Sequence, residues 1–187
     1  MHEKRRKAGI SDTWLTPPWI LEQLGPFDLD PCVADKMHMQ TAETGYSFEH
    51  DGLLSNWKGR IWLNPPYSSK IYYWMEKMAL HGNGIALVFA RVETSWFQSF
   101  IWKKADCILF LNKRLRFISP NTLQPSIHNA TAPSCLAAYG ADNVKALESS
   151  SIPGVLVYRI SHNSDYTTKQ TEFQRLTRMD IILNDSK

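Results

Sequence analysis

The segment Gly84–Ala90 (GIALVFA) constrains the fold more than any other part of the chain. Seven nearly unbroken apolar residues, bounded by Gly82 and Arg91, are too short for a buried helix and read as a strand covered on both faces. Further strands are expected at Phe27–Asp30, Arg60–Leu63, Cys107–Leu111, Ser134–Tyr139 and Val155–Ile160. Helical periodicity falls between them. Pro17–Leu24 has proline in its first turn and stops at Gly25. Ser69–His81 spaces Ile71, Trp74, Met75 and Met78 along one face. Thr94–Lys104 carries Phe97, Phe100 and Ile101, with Thr94 as its N-cap. This alternation predicts an α/β fold with a mostly parallel sheet flanked by helices. The stretch 112–133 holds three prolines and reads as a long loop or hairpin.

At 187 residues the chain suits one domain with its own core. The expected bounds are a disordered basic arm over 1–11, a catalytic domain over 12–160, and a tail over 161–187. In the tail, Phe173, Leu176 and Met179 fit a docking helix or a frayed end. The three cysteines, Cys32, Cys107 and Cys135, are far apart and form no CxxC pair. That argues against a zinc site or a disulfide framework and for a reducing cytoplasm. No metal site is expected, no apolar run reaches membrane-spanning length, and Met1–Lys7 is basic rather than apolar. A net charge of +3 permits a nucleic-acid partner without requiring one.

The chemistry concentrates in Asn64-Pro65-Pro66-Tyr67, directly after an apolar strand. Ligands of open α/β sheets sit at the carboxyl ends of strands. An amino group on a flat ring is a poor nucleophile because its lone pair is delocalised. The Asn64 side-chain oxygen and the Pro65 carbonyl can hold both of its hydrogens, favour a tetrahedral nitrogen and stabilise the positive charge that arrives there. The two prolines fix φ and aim the carbonyl. Tyr67 offers a face for a base to stack on.

Three further signals point to a cofactor. Phe27-Asp28-Leu29-Asp30-Pro31-Cys32 places Asp28 and Asp30 at a strand end before a tight turn, suited to ammonium and sugar groups. Thr13-Trp14-Leu15-Thr16-Pro17-Pro18 precedes the first helix, whose N-terminus can receive a carboxylate. In Asp51-Gly52-Leu53-Leu54, Asp51 can accept from an adenine amine while Leu53 packs its ring. A second reading makes Asp51 a helix N-cap, and the two stand side by side. Arg91, Trp96, Lys113, Arg114 and Arg116 lie at or beyond strand ends, where cations can meet phosphates and Trp96 can wall a base pocket.

As an ordered set these motifs resemble the phage-type DNA N6-adenine methyltransferases, a Dam-like family common in phages and prophages. The matching pieces are Asp12–Pro17, Phe27–Pro31, Asp51-Gly52-Leu53 with Trp57, Asn64–Tyr67, Phe89–Phe97, Lys113–Phe117 and Ala132-Pro133-Ser134. The resemblance implies a seven-stranded, Rossmann-like class I methyltransferase domain that binds S-adenosylmethionine and methylates adenine in double-stranded DNA, in a bacterial cytoplasm. It implies that Asn64, Pro65, Pro66 and Tyr67 form the catalytic loop and that Thr16, Pro17, Asp30, Pro31 and Asp51 line the cofactor pocket. The first-strand turn lacks the Gly-x-Gly common in that class. S-adenosylmethionine has no phosphates, so a phosphate-cradling nest is not required. The second strand, which usually ends in an acid for the ribose, is not evident; Asp35 and Glu43 are its candidates. The same catalytic tetrapeptide also serves methylation of RNA guanine or protein glutamine, and a non-catalytic DNA-binding accessory protein is the alternative from another class.

Overall fold

The computed structural model describes residues 14–33, 40–47, 50–119 and 122–159. The expected basic arm over 1–11 and tail over 161–187 lie outside these residues, as do Asp12, Thr13 and Asp35. Seven strands form one sheet: β1 (Leu29–Asp30), β2 (Thr44–Gly45), β3 (Ile61–Leu63), β4 (Gly84–Phe89), β5 (Cys107–Leu111), β6 (Ser134–Tyr139) and β7 (Gly154–Tyr158). Their spatial order is β2-β1-β3-β4-β6-β5-β7.

The expectation of a mostly parallel sheet is corrected. β2, β1, β3 and β4 pair in parallel through short ladders. The longer ladders β4–β6, β5–β6 and β5–β7 are antiparallel. β4 and β5 run in the same direction but do not touch, because β6 slots between them in reverse. An unbroken apolar run reports burial on both faces and not strand direction, which is why GIALVFA could not reveal this.

Helices cover both faces. α1 (Pro18–Leu24) starts on proline and stops at Gly25. α2 (Ile71–His81) buries Trp74, Met75 and Met78, and Gly82 ends it in the left-handed conformation, with φ 71°. The segment expected as a helix over Thr94–Lys104 winds as a π-helix over Phe97–Trp102. Thr94 does not cap it through its side chain; its hydroxyl bonds the Arg91 carbonyl. α3 (Ala141–Ser149) is an element that periodicity did not reveal, and β2 is another. The 112–133 loop carries only isolated bridges among its described residues, Leu15 with Ile118 and Ile118 with Pro125.

Alternation along the strands divides the core. Ile61, Leu63, Ala86 and Val88 meet α2 and the π-helix on one face. Trp62, Ile85, Leu87 and Leu136 meet Ile20, Leu24 and Leu147 of α1 and α3 on the other. At the amino end of β3, Arg60 ties the second layer together. It donates to the carbonyls of Leu24 (2.6 Å) and Pro26 (2.8 Å) and to Asn143 Oδ1 (2.7 Å), and its guanidinium lies over the Phe27 ring. Asn143, fully buried, passes the network on to Asn83 and the Tyr139 carbonyl. The molecule opens at the other end, beyond the carboxyl ends of β1 and β3.

Candidate active site

A cavity of about 370 Å³ opens at that end, within the size range of small-molecule sites. Asn64, Pro65, Pro66 and Tyr67, which leave the tip of β3, form part of its wall. Asn64 Nδ2 donates to the Trp14 carbonyl (3.1 Å) and Thr16 Oγ1 (3.4 Å). The amide nitrogen is therefore engaged, and the oxygen on the other side of the planar amide is the atom left to accept. The Asn64 carbonyl accepts the Cys32 thiol proton (3.2 Å), which links this turn to the one after β1. The Tyr67 ring stacks on Phe89 with centroids 3.9 Å apart and planes 11° from parallel. Burial pushes its hydroxyl pKa upward.

Trp14, Thr16, Asp30, Pro31, Cys32, Asp51 and Leu53 also line the cavity. Asp30 is 4% exposed. Its carboxylate accepts the Thr41 hydroxyl (2.5 Å) and the Cys32 amide (3.0 Å). Burial outweighs these bonds and pushes its pKa from 3.8 up to about 6. Asp51 opens a turn and not a helix. Its Oδ1 accepts the Leu53 amide (3.2 Å), and its carbonyl accepts the amides of Leu54 and Ser55. It also stands in the cavity wall. Lys77 of α2 holds this turn by donating to the carbonyls of Gly52, Leu53 and Ser55, and its ammonium lies 5.0 Å from the Trp57 ring centroid.

Other predicted residues fall elsewhere. Pro17 is buried beside the cavity but does not line it, and Asp28 turns away to bond the Arg60 amide. Arg91, Lys113, Arg114 and Arg116 are exposed and outside the wall, and Arg116 Nε donates to the Ser126 carbonyl. Trp96 is 7% exposed and packs in the core with Phe97, away from the cavity. Glu43 is exposed just before β2 and does not line the cavity. Conversely, Thr41, Tyr46, Trp62, Lys70 and Trp74 line the cavity without having been singled out. Nothing in their spacing marks them; they arrive by topology.

The whole motif set lies within one further finding. A family model for the DNA N-6-adenine-methyltransferases (Dam) matches residues 4–141. The chain belongs to the Dam family. Methylation of adenine in DNA is the activity the family carries, and the mixed seven-stranded sheet is consistent with an α/β methyltransferase fold. No curated protein and no solved structure matches the chain. No described helix is long and apolar enough to cross a membrane, and the described residues hold no cluster of metal-ligating side chains.

The cavity suits the donor that such a family uses. It has a buried acid at Asp30, a second acid at Asp51, and apolar walls at Leu53 and Trp74. It also has a buried donor, Trp62 Nε1, with no acceptor among the described residues.

The raised pKa of Asp30 gives a pH dependence with a definite sign. Because folding raises this pKa, ionising Asp30 opposes folding: the stabilising contribution is present below about pH 4 and is lost as pH rises through about 6. A bound ammonium needs the ionised form, so its contribution runs the other way. Cofactor affinity measured calorimetrically is expected to be flat just above pH 6 and to fall toward a limit of about tenfold per pH unit below it. Asp30→Asn should bind weakly with no such slope. An unchanged slope in that variant would exclude Asp30 as the titrating group.

Proposed function

We propose that the chain is an S-adenosylmethionine-dependent DNA adenine-N6 methyltransferase, with the target base turned out of double-stranded DNA into the Asn64–Tyr67 turn. One observation carries the reading: the turn that can grip an amino group lines the same cavity as the two acids suited to the cofactor's ends, Asp30 and Asp51.

When bound, the cofactor supplies a methyl group made electrophilic by its sulfonium. The chain supplies position and charge. The Asn64 side-chain oxygen and the Pro65 carbonyl accept the two N–H hydrogens, pyramidalise the nitrogen, and offset the positive charge that grows on it. Trp14 and Thr16 hold the Asn64 amide in the orientation this needs. Tyr67, backed by Phe89, gives the base a face to stack on. No strong base is required, because the nitrogen is acidic once methylated. Turning the base out costs a few kcal/mol, which contacts to the phosphates must offset. β3, β4 and β5 run in the same direction, so Arg91, Lys113 and Arg114, which follow β4 and β5, lie along the same sheet edge as the cavity. With Arg116 they are the proposed phosphate contacts; Trp96, buried in the core, is not among them.

The test is a panel of double-stranded DNA, RNA and protein supplied with methyl-labelled cofactor. The label is expected in DNA, recovered on digestion as N6-methyladenosine of the deoxy series. Label confined to RNA or to glutamine side chains would move the acceptor to another amide-like nitrogen. No transfer and no heat on titration with the cofactor would leave a non-catalytic accessory protein.

A further inference from the structure

We propose that the Trp62 indole N–H donates a hydrogen bond to the carboxylate of the cofactor's amino-acid tail, beside the Asp30 carboxylate that takes its ammonium. The inference rests on the reading of the cavity as an S-adenosylmethionine site and assigns a residue that none of the motifs includes.

Trp62 is fully buried, lines the cavity, and has an Nε1 hydrogen with no acceptor among the described residues. A buried donor left unpaired is costly, and an indole nitrogen can only donate, so the missing partner is an acceptor. The strand register shows which one. β1 and β3 pair in parallel with Leu29 opposite Ile61. The next residues, Asp30 and Trp62, therefore lie side by side on adjacent strands and point to the same face, with strands about 4.8 Å apart. In an amino acid the ammonium and the carboxylate share one carbon. A ligand whose ammonium meets Asp30 brings its carboxylate within reach of Asp30's neighbour.

Two further observations agree. Asn64, two residues beyond Trp62 on the same face of the chain, bonds Trp14 and Thr16, so this face looks onto the segment leading into α1. The adenine-suited wall, Leu53 and Trp74, packs with the core on the opposite face of the sheet. The α1 terminus, expected from sequence to receive the carboxylate, is poorly equipped for it. Pro17 and Pro18 have no N–H, and the Ile20 amide already bonds the Pro17 carbonyl (3.1 Å). Trp62 supplies the donor that the two prolines lack.

Calorimetry with two ligands tests the assignment. S-adenosylhomocysteine carries the amino-acid tail; 5′-methylthioadenosine keeps the nucleoside and lacks the tail. Trp62→Phe is expected to weaken S-adenosylhomocysteine by about 10- to 100-fold, the usual size for a hydrogen bond to a charged group, and to change 5′-methylthioadenosine by less than about threefold. Equal losses for both ligands would mean Trp62 only packs, and no loss for either would mean its N–H meets no ligand; either overturns the proposal. Should Trp62→Phe fail to fold, wild-type protein with ¹⁵N-labelled tryptophan decides. The Trp62 indole N–H signal should move downfield and gain protection from exchange with S-adenosylhomocysteine only; the same response to both ligands, or to neither, overturns the proposal. If neither compound binds wild-type protein, the cofactor reading itself falls and takes this inference with it.

Discussion

Asn64→Ala is expected to lower the rate of methyl transfer by about 100- to 1,000-fold, the scale on which removing one preorganised transition-state partner acts. The loss should appear in kcat, because the Asn64 oxygen matters most as charge develops on the nitrogen. The fold should survive: Asn64 is half-buried at a strand tip, and among the described residues it bonds Trp14, Thr16 and Cys32. Cofactor affinity should fall far less than kcat, through loosening of the 14–16 segment. Single-turnover kinetics on DNA, set beside calorimetry, separates the two effects. Wild-type turnover by the alanine variant would remove the amide from the chemistry.

The second large effect is expected at Gly52. A Cβ there would overlap the Pro31 carbonyl oxygen and press on the Trp74 ring at 3.0 Å. The first neighbour is backbone and cannot swing away. Gly52 is thus where the Asp51–Leu53 wall and the Asp30–Cys32 turn come together, and the width of the cavity between them depends on it. Gly52→Ala should cost about 3 kcal/mol of stability, at the upper end for overpacking. It should also weaken cofactor binding by about 100-fold, because the two acids would no longer sit at the right separation for one ligand. Thermal unfolding with and without S-adenosylhomocysteine reads both quantities. Wild-type affinity in this variant would mean the two walls do not share a ligand.

The residues that line the cavity were more legible than the sheet, for physical reasons. Asn64–Tyr67, Asp30 and Asp51 were readable because each pairs a chemical group with a strand end or turn, and local sequence encodes both. β6 was recognised as a strand, but its direction depends on a connection through the 112–133 loop that carries no periodic signal. β2 is two residues long and ends in glycine, too short to alternate. α3 buries only Asn143 and Leu147 fully, so its apolar stripe is faint. Trp96 misled because it follows the end of β4 by only a few residues, where a side chain can meet a ligand, while Phe97 and Ile101 draw it into the core. Trp62 was passed over for the opposite reason: in an apolar strand a tryptophan reads as packing, and only the register beside Asp30 makes its N–H notable.

The most direct measurement is modified-base sequencing of DNA from cells that express either the wild-type chain or Asn64→Ala. N6-methyladenine at a recurring sequence is expected with the wild type and its absence with the variant. Methylation that persists in the variant, or that falls on cytosine, would contradict a site in which the Asn64 turn holds the adenine amine beside the methyl donor.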